Sequence, residues 1–348
     1  MKKRILIAPL NWGLGHATRC IPIIHELIKH EYEPIITSDG SSLLLLKKEF
    51  PELIHLELPS YNIEYSEQGQ SLKWKLIKNI PSIFKTIKVE KEATEQIIKK
   101  YHISGIISDN RLGVYNKQIP SVYITHQLRV LSENTTWFTS KIHQYIIKKF
   151  DVCWIPDAKD EPNFTGRLGH IKHAPIPLKY IGATSRFKKN KLPLANDLLV
   201  LLSGPEPQRT LLEKKLLNEL KAFNGKIAFV KGIIEDQQTK IIKNQFTIYN
   251  FMQSNELEKS VNESKLVIAR SGYTSIMDLA KLGKRAFFIP TPGQFEQIYL
   301  AKRLKQFRIA PYCIQDSFTI SNLNEVEDFK GFESSKNMPD FKTLFIHF

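Results

Sequence analysis

The sequence predicts an α/β fold of two Rossmann-like, doubly wound parallel-sheet domains facing a central cleft, and three observations predict it. Aliphatic, β-branched runs of strand length alternate with longer helical patterns along most of the chain. The rhythm breaks once, in an irregular basic stretch running from after Pro175-Ile176-Pro177 to Asp197, and then resumes. Several strand runs pass directly into turns rich in glycine and small polar residues that open helices. With 348 residues, 42% of them hydrophobic, the chain is long enough for two packed cores.

In the first half the strand runs are Arg4 to Pro9, Glu33 to Ser38, Leu53 to Leu58, Ile103 to Ser108, Ser121 to Thr125 and Val152 to Pro156. In the second they are Leu198 to Leu202, Lys226 to Val230, Phe246 to Tyr249, Leu266 to Ala269 and Arg285 to Pro290. Domains are expected at 1–182 and 183–330, with 331–348 a tail whose end packs back as a helix. Met1-Lys2-Lys3-Arg4 and the apolar run after it resemble a signal peptide, but the run stops at Asn11 and enters a glycine turn, so it reads as a core strand. No stretch approaches the length that spans a bilayer. Cys20, Cys153 and Cys313 are few, odd in number and far apart, which argues against a disulfide framework or a zinc site and suits a cytoplasmic protein.

A formal net charge of +15 invites an anionic partner. Lysine is spread along the whole chain, so a solvated basic surface explains most of it, and nucleic acid is not an expected partner. One region is denser. Residues 71–91 carry Lys73, Lys75, Lys78, Lys85, Lys88 and Lys91 among Leu72, Leu76, Ile80, Ile83 and Ile87 at helical spacing, bent or restarted near Pro81. Such a helix suits an anionic membrane surface, or an ordinary core with a lysine face.

The chemistry concentrates in loops that follow strands. Ala269-Arg270-Ser271-Gly272-Tyr273-Thr274 puts a strand end, a glycine turn and a helix start within six residues. Unpaired N–H groups at the helix start favour an anion by roughly 0.3–2 kcal/mol, Arg270 offers a forked contact, and Thr274 or Ser275 is the expected cap. Asp278, about a turn inside, suits the hydroxyls of a ribose beside a diphosphate. Ser203-Gly204, with Gln208 and Arg209, forms a second anion-suited loop. Glu296 and Gln297, before a helix expected from Ile298, suit sugar hydroxyls, and Phe251-Met252 suits a base. In the first half Gly13, Gly15 and His16 open a helix directly after the first strand, with His16 a candidate general base. Gly13, Gly15 and Thr18 with Asp39 approximate a dinucleotide fingerprint, but its third glycine is missing.

On these residues the chain resembles a GT-B glycosyltransferase, most of all the family 28 branch, which includes the lipid-linked N-acetylglucosaminyltransferase of peptidoglycan synthesis. The resemblance in architecture covers nearly the whole chain; the motif match lies mainly in the second half. It implies that Asp278, where the family more often has Glu, holds the nucleotide ribose. It also implies that Glu296 and Gln297 contact the donor sugar, although Leu300 before Ala301 departs from the family pattern. Gly13, Gly15 and His16 match its amino-terminal glycine loop. Ser108-Asp109-Asn110-Arg111 and Thr125-His126-Gln127 match further loops, which makes Asp109 a second candidate base. The implied reaction moves a sugar from a nucleoside diphosphate sugar, a UDP-sugar, to a hydroxyl acceptor, lipid-linked or part of a cell-envelope glycan. It proceeds with inversion and without metal or cofactor, on a cytoplasmic protein peripheral to the membrane. A UDP-sugar epimerase of the same fold and an NAD(P)-dependent oxidoreductase are the alternatives.

Overall fold

The computed structural model describes residues 2–61, 72–131, 136–333 and 340–348, with residues 72–81 and 138 described as backbone only. The chain divides into two compact units between Thr184 and Ser185, and residues 340–348 belong to the first.

The first unit is built on a parallel sheet of β1 (Arg4–Pro9), β2 (Glu33–Ser38), β3 (Ile54–Glu57), β4 (Ile103–Asp109), β5 (Ser121–Ile124), β6 (Val152–Ile155) and β7 (Leu178–Tyr180), in the order β3-β2-β1-β4-β5-β6-β7. Helices cover both faces of such a sheet, so its central strands read as unbroken apolar runs. Ile5 to Ala8 are fully buried, with Ile7 opposite Ile36 on one side and Ile107 on the other. No apolar run marks β7, a three-residue edge strand beside β6. Helix α1 (Gly15–Lys29) buries Ala17, Cys20, Ile21, Ile24 and Leu27, one stripe at the spacing of three and four that packs on the sheet. Helices α2 (Gly40–Glu49), α3 (Leu72–Tyr101) and α4 (Thr136–Ile147) follow. Helix α3 runs unbroken across Pro81, where a bend or restart is expected from the sequence. The side chains of Lys73, Lys75 and Lys78 lie outside the described residues.

In the second unit the strands are β8 (Asn196–Leu201), β9 (Ile227–Val230), β10 (Lys240–Lys243), β11 (Phe246–Tyr249), β12 (Ser264–Ala269) and β13 (Arg285–Phe288), in the order β10-β11-β9-β8-β12-β13. All pairs are parallel except β10 with β11, an edge hairpin whose outer strand is exposed throughout. Helices α5 (Gln208–Glu219), α6 (Ser254–Asn262), α7 (Tyr273–Leu282) and α8 (Phe295–Gln306) complete it around a core of Leu198, Val200, Phe229, Ile268, Phe287 and Phe318. A last helix, α9 (Phe341–Phe345), packs on the first unit, with the Phe345 ring against Tyr32 and Trp154.

Each strand order reverses once. In the first unit β2 and β4 lie on opposite sides of β1, and in the second β9 and β12 flank β8. Ligands of doubly wound sheets bind beyond the carboxyl ends of the strands at such points. The loops after β1 and β4, and after β8 and β12, are therefore where chemistry is expected.

Candidate active site

At the reversal of the first unit the glycine loop meets the end of β4. Gly13 has φ +78°, a left-handed conformation that favours glycine, and α1 then starts with no side-chain cap. That places His16 in the first turn and Arg19 three residues on, along the same face. Asp109, the last residue of β4, is fully buried and receives both: His16 Nδ1 lies 2.8 Å from its Oδ1, and the Arg19 guanidinium forms a fork on the two carboxylate oxygens. Burial alone would raise the Asp109 carboxyl, yet Arg19 and His16 bring it down to about 2. Asp109 is thus ionised and accepts only; Arg19 Nη2 also stands 2.9 Å from Nδ1 but donates to Asp109 Oδ1, so the His16 proton sits on Nδ1 and Nε2 carries the lone pair. Burial lowers the pKa of His16 against the raising pull of Asp109, and Arg19 and His126 lower it further. The ring is neutral at neutral pH and keeps 14% of its side chain exposed. Asp109, with none exposed, orients His16 and has no open path to an acceptor, a correction to its expected role as an alternative base.

Asp39 is committed elsewhere. It accepts from the Arg111 guanidinium and from Asn11 Nδ2, and Arg111 also holds Glu90 at 2.7 Å. The dinucleotide alternative therefore lacks a free acid for a ribose.

At the reversal of the second unit the predicted residues separate into three groups. Ser271, Gly272, Gly204 and Gln297 come together, while Gln208 joins Arg270 and Gln315. Ser271 Oγ donates to the Gln297 carbonyl at 2.9 Å, Gln297 Oε1 accepts from Thr291 N–H at 2.8 Å, and a Cβ on Gly204 would stand 3.7 Å from Thr291 Oγ1. Helix α7 begins at Tyr273 with Gly272 as its N-cap and no side-chain cap, so Thr274 lies inside the first turn instead of capping it. Helix α8 likewise starts at Phe295, three residues before the expected Ile298, which places Glu296 and Gln297 in its first turn. Gln297, whose Nε2 donates to Gln294, braces the loop with both ends of its amide and does not project as a free sugar contact.

Arg270 is 1% exposed. Its terminal nitrogens donate to the carbonyls of Ile289, Pro290 and Gln208 and to Gln315 Oε1, at 2.7–3.1 Å, so no terminal N–H is left for the expected forked contact. Its buried Nε–H has no partner, and burial lowers its pKa to about 9, which leaves it a cation at neutral pH held by neutral acceptors. Arg209 turns away, pairing with Glu206 at 2.5 Å and Glu213 at 2.6 Å, so its charge is spent within the protein, contrary to expectation. Asp278 forms the third group. Its Oδ1 accepts from Ser185 at 2.6 Å, and burial lifts its carboxyl to about 6 against the pull of Arg186. Arg186 in turn reaches Ser254 at 3.1 Å, just after the buried Phe251 and Met252.

Three residues at these sites, Arg19, Thr291 and Gln315, are not singled out by any motif of the sequence, while His126 lies in a loop that is. Arg19 alone left a signal, its spacing of three from His16. Among the described residues no group of His, Cys, Asp and Glu could hold a metal ion.

The model of the glycosyltransferase family 28 C-terminal domain matches residues 207–336. The chain is 27% identical, over 311 residues covering 83% of it and 78% of the relative, to the UDP-N-acetylglucosamine–N-acetylmuramyl-(pentapeptide) pyrophosphoryl-undecaprenol N-acetylglucosamine transferase of Clostridium tetani. It is 22% identical over 300 residues to an uncharacterized glycosyltransferase of Methanopyrus kandleri, covering 81% of this chain and 83% of that one. Among solved structures it is similar to the glycosyltransferase SnogD from Streptomyces nogalater, with TM-score 0.64, 11% identity and full coverage of both chains. It is similar also to Acinetobacter baumannii MurG, with TM-score 0.55, 13% identity, and 94% and 90% covered. Residues 207–336 thus match a family 28 C-terminal domain, and the chain is a family 28-like glycosyltransferase with the GT-B fold.

Proposed function

We propose that the protein transfers a sugar from a UDP-sugar to a hydroxyl acceptor, with the nucleotide held by the second unit. One observation carries this reading. Gly272 has φ −68° and ψ 144°, which any residue adopts, and nothing lies within 4 Å of where its Cβ would be. Neither backbone nor packing needs glycine there. The open space lies at the start of α7, which has no side-chain cap, near a buried cation that has no counter-ion among the described residues, where a diphosphate fits. As the bond to the anomeric carbon breaks, charge grows on the leaving diphosphate. The α7 N–H groups, Ser203-Gly204 and the field of Arg270 stabilise it. Asp278 accepts from the ribose, Glu296 meets the sugar, and Phe251-Met252 borders the base. In the first unit His16 Nε2 takes the acceptor's proton, with Asp109 holding the tautomer.

The test is Gly272→Ala, titrated with UDP by calorimetry. The variant should melt as the wild type does and bind UDP at least tenfold more weakly, because the methyl occupies the phosphate position; unchanged affinity would sink the reading. An epimerase needs no acceptor, so conversion of the donor incubated alone would favour that alternative.

The acceptor in this reading is lipid-linked or a cell-envelope glycan, met at an anionic membrane surface. Beyond the side chains left undescribed in α3, Lys85 and Lys88 are exposed with Phe84. Helix α4 supplies a second stripe, with Trp137 72% and Tyr145 66% exposed, Lys141 on the same face and exposed Lys148 just past the helix end. No helix among the described residues is long and apolar enough to cross a membrane.

A further inference from the structure

Next to Asp109 stands a residue the reaction scheme above does not use. Asn110 has φ +60°, unusual for a residue with a side chain, and its amide is locked from one end only. Tyr123 Oη, fully buried on β5, donates to Asn110 Oδ1 at 3.0 Å and lies 3.1 Å from His143 Nε2 on α4. The direction of this chain follows from one orphan atom. His143 Nδ1 is buried with no partner, and a proton there would be a stranded donor. Burial lowers His143 to about 4, so the ring is neutral and its one proton sits on Nε2, pointed at Tyr123 Oη. Tyr123 then spends its only proton on Asn110 Oδ1. With Oδ1 taken, the amide turns its NH2 toward His16, Nδ2 standing 3.4 Å from the protonated Nδ1, a donor facing a donor that disfavours further positive charge on the ring.

We propose that His143, Tyr123 and Asn110 form a positioning chain that keeps the carbonyl end of the Asn110 amide away from His16, and so keeps the imidazole uncharged and able to accept a proton. The inference rests on the reading of His16 as the base. A flipped amide would set a second acceptor beside Asp109 and stabilise the imidazolium. The other groups facing His16 stay fixed: Arg19 on its own helix, Asp109 at the end of β4, and His126 reached through Arg19 at 2.9 Å.

The test reads the His16 titration midpoint by NMR of nitrogen-15-labelled protein, which needs no substrate. Tyr123→Phe frees the amide and should raise the midpoint by roughly 0.5–1 pH unit, the worth of one hydrogen bond. Asn110→Asp, which fixes an acceptor on that side, should raise it further. His143→Gln keeps a donor toward Tyr123 and should leave the midpoint near wild type, while His143→Leu should shift it. An unmoved midpoint in Tyr123→Phe, with the fold intact by circular dichroism, overturns the chain; equal midpoints in His143→Gln and His143→Leu remove His143 from it. Failure of the base reading is a separate result: UDP release from UDP-N-acetylglucosamine would then be unchanged in His16→Ala.

Discussion

Asp278, proposed above to hold the ribose, is a buried acid set against the fold. Its carboxyl is raised to about 6 from an ordinary 3.8, so the folded state holds a proton more tightly than the unfolded chain does. The stability this proton contributes is complete below pH 3.8 and is lost as pH rises through 6. At neutral pH the ionised group therefore costs stability, on the order of 2–3 kcal/mol. Asp278→Asn keeps an oxygen for the Ser185 hydroxyl and removes the buried charge, so it should melt at a higher temperature above pH 6. The same change should weaken UDP ten- to a hundredfold, since hydrogen bonds to a charged acceptor are worth about 1.5–3 kcal/mol. The affinity gap between wild type and variant should close below pH 6 as Asp278 protonates. A variant that is more stable and binds UDP equally well would leave the acid with no ribose to hold.

Arg270 acts at the scale of elements. It ties the turns after β12 and β13 to the start of α5 and to Gln315, a brace of four bonds from one guanidinium. Lysine has three donors on a rotating head and cannot reproduce that planar fork. Arg270→Lys should therefore lower the melting point of the second unit, weaken UDP through misplaced N–H groups, and recover part of its stability when UDP is added. A variant as stable as the wild type would show that the brace is dispensable. This element also marks what the sequence made legible. The strand, glycine turn and helix start could be placed from Leu266 to Thr274 because apolar run, turn residue and helix-start residues agree there. The brace could not, because Gln315 lies 45 residues from Arg270 and no local pattern joins them. Arg209 misled for the opposite reason: Glu206 and Glu213, at helical spacings of three and four, claim its charge through a local pattern that competes with any ligand. His16 with Asp109 was half legible. The glycine loop and helix start pointed to the histidine, whereas its pairing with a carboxylate depends on β4 lying beside β1.

Over the whole molecule, a net charge of +15 draws the protein toward any polyanion, so attraction alone does not separate a bilayer from a nucleic acid. The separation comes from what stands beside the charge. Two exposed aromatic rings and Lys141 lie on α4, with exposed Lys148 just past its end, and tryptophan and tyrosine rings rest at the depth of lipid headgroups while lysine reaches the phosphates. A nucleic-acid surface would answer mainly to the lysines, with affinity falling steeply as salt rises. A membrane surface needs both contributions, each lysine near an anionic leaflet adding about 1 kcal/mol. In flotation with vesicles containing phosphatidylglycerol, the wild type should rise with the lipid, and it should stay behind with phosphatidylcholine alone. Trp137→Ser with Tyr145→Ser should lose most of that binding at unchanged charge, while any weak, salt-sensitive retention on a DNA column stays the same. If the double variant floats like the wild type, the α4 stripe is not the membrane contact and the basic face of α3 is left to carry it.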